Sequence, residues 1–96
     1  MRRLIVTADD FGASREVNEA VEQAHRGGIL TAASLMVAGD AAADAVERAR
    51  RLPSLGVGLH VVLVEGRPVL PPERLPALVD TTGAFRTDMA RAGLTI

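Results

Sequence analysis

Apolar residues fall along this chain in two rhythms. Three short apolar runs, Leu4-Ile5-Val6, residues 32–37 and residues 57–64, are partly β-branched and bounded by Gly, Pro or Asp. Runs of this length predict strands, and their lack of strict apolar–polar alternation predicts a parallel sheet covered on both faces. Between them the spacing changes. Val17, Ala20, Val21 and Ala24 recur at helical intervals, predicting a helix over residues 15–26 with Ser14 as N-cap and Gly27-Gly28 as its stop. Ala42, Ala45, Val46, Ala49 and Leu52 predict a second helix over residues 41–52, capped by Asp40 and stopped by Pro53. The order strand, helix, strand, helix, strand predicts an α/β fold: a parallel βαβαβ unit built from two right-handed crossovers.

The rhythm stops after Val64. Gly66, Pro68, Pro71, Pro72 and Pro76 mark a long loop, with a short helical turn expected near residues 73–79 and a tight turn at Asp80-Thr81-Thr82-Gly83. The expected organisation is one incomplete domain, with a core at 1–64 and a loop-rich extension at 65–96. Two helices cannot cover both faces of three apolar strands, and open sheet edges invite pairing with other chains. The pattern is therefore that of the N-terminal part of a larger α/β domain.

Composition narrows the function classes. Of 96 residues, 48% are hydrophobic, and 12 acids against 11 bases give a net charge of -1. That supports a packed core and gives no electrostatic case for nucleic acid. Every base is an arginine, so chemistry requiring a lysine has no residue here. With no cysteine, disulfides and thiolate metal sites are excluded. Met1-Arg2-Arg3 is followed by only three apolar residues, short of the roughly 7–15 of a secretory signal. No run reaches the roughly 18 apolar residues of a membrane span. A cytoplasmic protein without an integral membrane segment is expected.

Two places carry chemistry. Asp9 and Asp10 follow the first apolar run, and parallel α/β folds build their sites at the carboxyl ends of strands. Adjacent carboxylates repel unless a cation or a proton lies between them; the alternative is that one of them caps the turn before the helix. His60 sits inside the third apolar run, either as a hydrogen-bonded core histidine or, with the strand-end aspartates, as a ligand of a divalent ion. His25 lies in the last turn of the first helix, where an imidazole suits the helix dipole, and reads as structural. Thr7 is placed to orient a carboxylate. Asn18 reads as a solvated amide or, less simply, as a residue facing the site. Glu65 and Arg67 rim a pocket or belong to a solvated loop.

The strings Thr7-Ala8-Asp9-Asp10-Phe11-Gly12, Val17-Asn18, Gly28-Ile29-Leu30-Thr31, Ser34-Leu35-Met36-Val37, Gly58-Leu59-His60 and Asp80-Thr81-Thr82-Gly83-Ala84-Phe85 resemble, in order and spacing, the YdjC-like carbohydrate deacetylases. Residues 64–73 are most similar to the branch associated with hopanoid biosynthesis. The resemblance implies a (β/α) barrel-like deacetylase domain more than twice this length. It also implies a divalent metal (Mg or Zn) and hydrolysis of the N-acetyl group of an acetamido sugar or sugar-bearing lipid. It maps Asp10 and His60 to metal ligands and Asp9 to the catalytic base, and it implies a further ligand histidine downstream that His25 does not match. It leaves Glu65 and Arg67 as candidate substrate contacts and the 96-residue chain inactive alone. Two other classes compete. A Mg²⁺-binding signalling receiver also opens with paired acids, but it needs an aspartate ending the third strand and a later lysine. A non-catalytic binding or assembly fragment would self-associate as a homo-oligomer through an uncovered sheet face.

Overall fold

The computed structural model describes residues 1–95 and divides into two compact units, one spanning Met1–His60 and the other beginning at Val61. The first unit is α/β. Three parallel strands lie in the order β1-β2-β3, with β1 at Thr7–Phe11, β2 at Ala32–Leu35 and β3 at Gly56–Leu59. Helix α1 (Arg15–Gly27) joins the first pair and α2 (Ala42–Arg50) the second. The βαβαβ order expected from the sequence is the observed one.

The strand limits differ from the apolar runs for one reason: β2 is short, and its neighbours end where it ends. Register runs from Thr7 opposite Ala32 to Phe11 opposite Leu35, and from Ala32 opposite Gly56 to Leu35 opposite Leu59. Leu4 and Ile5 fall outside the ladder and are exposed, so β1 is Thr7–Phe11 rather than residues 4–6. The aspartates therefore belong to β1 instead of following it. Likewise β3 stops at Leu59, so His60 stands just past a strand end and not inside the strand. All four β3 residues are exposed, contrary to the expectation of cover on both faces.

Phe11, Val21, Leu30, Ala33, Ala45, Leu52 and Leu55 form the core, with Val6, Ala8, Val17, Leu35 and Ala49 packed against it. Burying one such side chain as large as Val21 contributes about 1.5–3 kcal/mol. The inward face of α1 is rotated from the one the alanines suggest. Ala20 and Ala24 are exposed, while Val17, Asn18, Val21, Glu22 and His25 are buried or half-buried. Short apolar side chains gave way to longer polar ones that find partners. His25 places Nδ1 2.7 Å from the Leu30 carbonyl and Nε2 2.9 Å from Ser54 Oγ, pinning the end of α1 to the segment before β3. Ser14 caps α1 by accepting from the Val17 N–H at 3.2 Å. Helix α2 has Ala41, not Asp40, at its N-cap, with no side-chain cap bond. Backbone replaces the expected carboxylate, because the Ala41 and Ala42 N–H groups donate to the carbonyls of Gly12 and Gly39.

Charged groups tie α1 to α2. Glu22 accepts from Arg26 at 3.0 Å and Arg48 at 3.3 Å, with Arg51 3.5 Å away. Asp44 accepts from Arg48 at 2.8 Å and from the Asn18 amide at 3.0 Å. The Arg26 hydrogen bond holds Glu22, and the Asn18 and Arg48 hydrogen bonds hold Asp44, below their ordinary values. The unfolded chain thus takes up these protons first as pH falls. The stabilisation is complete above the ordinary carboxylate range of about 4–4.5 and fades as pH drops through the lowered folded-state values. The urea midpoint is expected to fall between pH 6 and pH 3, and the slope to shrink in the Asp44→Asn, Glu22→Gln double variant. Asp80, held low mainly by the Thr82 hydroxyl, leaves a residual slope. An unchanged slope in the double variant would refute the assignment.

In the second unit a 3₁₀ turn at Pro72–Arg74 and helix α3 (Met89–Thr95) are the regular elements. The expected helical turn is thus shorter and earlier than residues 73–79, and α3 was not foreseen. Phe85 and Ala92 are its buried apolar residues among those described. The Asp80–Gly83 turn forms as expected, with Asp80 Oδ1 accepting from the Thr82 N–H at 2.8 Å and Gly83 at φ 85°.

Candidate active site

The site begins with a fault in the β1–β2 ladder. Ala8 pairs with Ala33 and Phe11 with Leu35, so Asp9 and Asp10 together stand opposite Ser34 alone. Such a bulge breaks the two-residue side-chain period and re-aims the residues within it. Asp10 completes the distortion with φ 64°, a left-handed conformation that aspartate tolerates better than most residues but that still costs about 1–3 kcal/mol. The turn then closes through the Ala13 N–H to the Asp10 carbonyl at 3.0 Å, with Gly12 at φ 99°. A Cβ at Gly12 would lie 2.9 Å from the Met36 carbonyl oxygen.

His60 meets this bulge from the other edge of the sheet. Its N–H continues the ladder by donating to the Leu35 carbonyl at 2.9 Å. With neighbouring strands about 4.8 Å apart, β1 and β3 are separated by roughly 10 Å. The imidazole spans that gap across the end of β2. Its Nδ1 accepts from the Asp10 N–H at 3.3 Å and lies 3.5 Å from Asp10 Oδ1. The ring is 28% exposed and the Asp10 side chain 60%, so the pair is open to solvent. Ser34 donates toward Asp9 Oδ1 at 3.4 Å and the Ala8 carbonyl at 3.5 Å.

The Asp10–His60 spacing has a chemical reading. In the neutral ring, an Nδ1 that accepts from an amide has no proton to offer the carboxylate. The carboxylate and the ring nitrogen then stand 3.5 Å apart, with the nitrogen's one lone pair turned to the amide. An imidazole nitrogen and a carboxylate oxygen are a donor set that zinc accepts, and an ion held there would take the place of the amide on Nδ1. These two side chains fit two ligand positions. Among the described residues no group of three His, Cys, Asp or Glu side chains gathers to complete a metal site.

The other expected residues lie elsewhere. His25 is held between Leu30 and Ser54. Glu65 and Arg67 are exposed residues of the second unit, where Glu65, at φ 54°, donates its N–H to the Arg86 carbonyl at 3.1 Å. Of the residues at the site, Ser34 was not anticipated, and Asn18 was expected there only as the second reading. Ser34 was noted only as part of a motif, and nothing in its neighbours marks it as an aspartate's partner. Asn18 is not a solvated amide: it is fully buried, with Oδ1 accepting from the Gly12 N–H at 2.7 Å. Its position between Val17 and Val21 on one helix face was the available signal.

Known proteins resemble this chain in sequence and in fold. The chain is 48% identical over 84 residues to a carbohydrate deacetylase of Brevibacillus brevis, covering 88% of this chain and 33% of that protein. It is 47% identical over 68 residues to a chitooligosaccharide deacetylase of Salmonella schwarzengrund, covering 71% of this chain and 27% of that one. A crystal structure from Enterococcus faecalis V583, solved under the name of a cellobiose-phosphate cleavage protein, superposes with a TM-score of 0.83 at 34% identity, over 88% of this chain and 33% of that one. The chain spans about a third of the length of the carbohydrate deacetylases it matches. A match to the YdjC-like protein family runs over residues 3–95, nearly the full sequence, and by it this chain belongs to that family.

Proposed function

We propose that this chain is the first third of a divalent-metal-dependent carbohydrate N-deacetylase, folded as the opening of a (β/α) barrel-like domain. The observation that carries the reading is the meeting of Asp10 and His60 at 3.5 Å, at the carboxyl ends of β1 and β3. In it, Asp10 and His60 hold the ion, and a further ligand comes from outside these residues. A bound divalent ion supplies Lewis acidity, polarising an amide carbonyl and bringing the pKa of water from 15.7 toward about 7.

Asp9 takes the proton of the attacking water. Ser34 donates to its Oδ1 at 3.4 Å, which restrains the carboxylate while leaving the second oxygen free to accept. Attack on the N-acetyl carbonyl gives a tetrahedral oxyanion, and its collapse releases acetate and the free amine once the nitrogen is protonated. The acid for that last step lies outside this chain. Glu65 and Arg67 are assigned to sugar hydroxyls. The similarity of residues 64–73 to the hopanoid-associated branch favours an acetamido sugar carried on a hopanoid lipid, handled in the cytoplasm. The receiver reading loses ground because a histidine, not a phosphate-accepting aspartate, stands after β3.

The test is a chimera in which these 96 residues replace the matching third of the Brevibacillus brevis relative. Acetate release from N-acetylchitooligosaccharides or from an N-acetylated glycolipid is expected, abolished by dialysis against a chelator and restored by Zn²⁺ or Mg²⁺. The 96-residue chain alone is expected to release none. A folded chimera inactive on both substrate classes would refute the deacetylase reading, and activity indifferent to the chelator would refute the metal.

A further inference from the structure

The left-handed backbone of Asp10 is unfavourable in isolation and persists only where its surroundings hold it. Besides the Asp10 N–H bond to His60, four hydrogen bonds surround it. The Asp10 carbonyl accepts from Ala13 at 3.0 Å, the Phe11 carbonyl from Met36 at 2.7 Å, the Gly12 carbonyl from Ala41 at 3.0 Å, and the Gly12 N–H donates to Asn18 Oδ1 at 2.7 Å. The first three are backbone to backbone. The fourth is made by the one buried polar side chain among the described residues.

Asn18 is anchored on its other side as well. Its Nδ2 donates at 3.0 Å both to the Ala41 carbonyl and to Asp44 Oδ2. Both amide protons and the acceptor are used, so the plane of the amide is fixed by α2 and the loop before it. The Gly12 N–H is therefore met by an oxygen that cannot swing away. Without that oxygen a buried N–H is left unsatisfied, and the turn must open to hydrate it. Asp10, two residues earlier, is then free to leave its left-handed state, and both of its contacts with His60 depend on that state.

We infer that Asn18 is a positioning residue for the Asp10–His60 pair, acting through Gly12 to hold the Asp10 backbone that sets the pair's spacing. Its catalytic meaning rests on the deacetylase reading. Its structural content does not, because the Asp10 conformation can be read in the 96-residue chain without metal or substrate.

The experiment is NMR on that chain and three variants. In the unsubstituted chain Asp10 gives the strong intraresidue HN–Hα NOE of positive φ, and its amide, donating to His60 Nδ1, exchanges slowly. Asn18→Ala is expected to lose both signatures and to exchange the Gly12 amide at least tenfold faster relative to core amides. Val21→Ala weakens the same helix's packing without touching the turn, and it keeps both signatures. The paired exchange Asn18→Asp with Asp44→Asn returns an acceptor to Gly12 and a donor between positions 18 and 44, gives up the bond to the Ala41 carbonyl, and restores the Asp10 signature in part. If Asn18→Ala does not fold, the paired variant decides. Retention of the Asp10 NOE in folded Asn18→Ala, its loss in Val21→Ala, or its absence from the folded paired variant would each overturn the proposal. A deacetylase assay that failed altogether would leave these readouts standing, so the two failures are distinguishable.

Discussion

Asp9→Asn, introduced into the chimera, is expected to lower acetate release by about 10²–10⁴-fold, the usual contribution of a positioned general base. Zn²⁺ affinity is expected to stay where it was. The amide is isosteric with the carboxylate, and its carbonyl oxygen can still accept from Ser34, so the bulge and its hydrogen bond survive while the ability to take a proton is lost. Asp10→Asn should show the opposite division, with weakened Zn²⁺ binding accompanying the lost rate, because Asp10 Oδ1 faces His60 Nδ1 at 3.5 Å. Parallel calorimetric and acetate-release measurements check the assignment. If Asp9→Asn weakened Zn²⁺ binding and Asp10→Asn reduced rate alone, the two carboxylates would have exchanged roles.

Gly39→Ala is expected to destabilise the 96-residue chain by about 3 kcal/mol or more, the upper end of what overpacking costs. A Cβ there would lie 2.2 Å from the Gly12 carbonyl oxygen, 2.8 Å from its carbon and 3.1 Å from the Met36 oxygen. All three are backbone atoms, so no side chain can turn aside to make room. The loops after β1 and β2 must separate, and the bonds joining Ala41 to Gly12 and Asn18 to Ala41 stretch with them. Against a whole-domain stability of about 5–15 kcal/mol this is a large fraction. Gly39 is not among the positive-φ residues, so the penalty is one of contact and not of backbone preference. Urea unfolding measures it, and an unchanged midpoint would show that the loops yield at little cost.

What could be read from the sequence follows a physical division. Helix α1 was legible because Ser14, the Val17–Val21 spacing and Gly27-Gly28 are local signals acting within one turn. Its orientation was not. Which of Ala20 or Asn18 faces inward depends on Asp44, Arg48 and Ala41, and those partners are 20 or more residues away. The strands were legible as apolar runs, yet their ends were set by the length of β2, a property of pairing rather than of any one segment. For the site, Asp9, Asp10 and His60 stood out because charge and imidazole beside apolar runs are costly without a role. That Asp10 and His60 meet was not legible, since the meeting depends on a bulge and a left-handed φ that no residue pattern announces. Ser34 was invisible as a site residue, and Asn18 stood between two readings, for the same reason: a hydroxyl or an amide becomes informative only when its partner is known.

The twisted backbone at Asp10 narrows what a protein lineage can place there. Asparagine accepts the same dihedral but surrenders the negative charge. Glutamate keeps the charge but has no special ease in that dihedral, and it carries the carboxylate one methylene further out. Shape and charge are demanded at once at a single position, so the proposed ion site survives only a substitution that satisfies both.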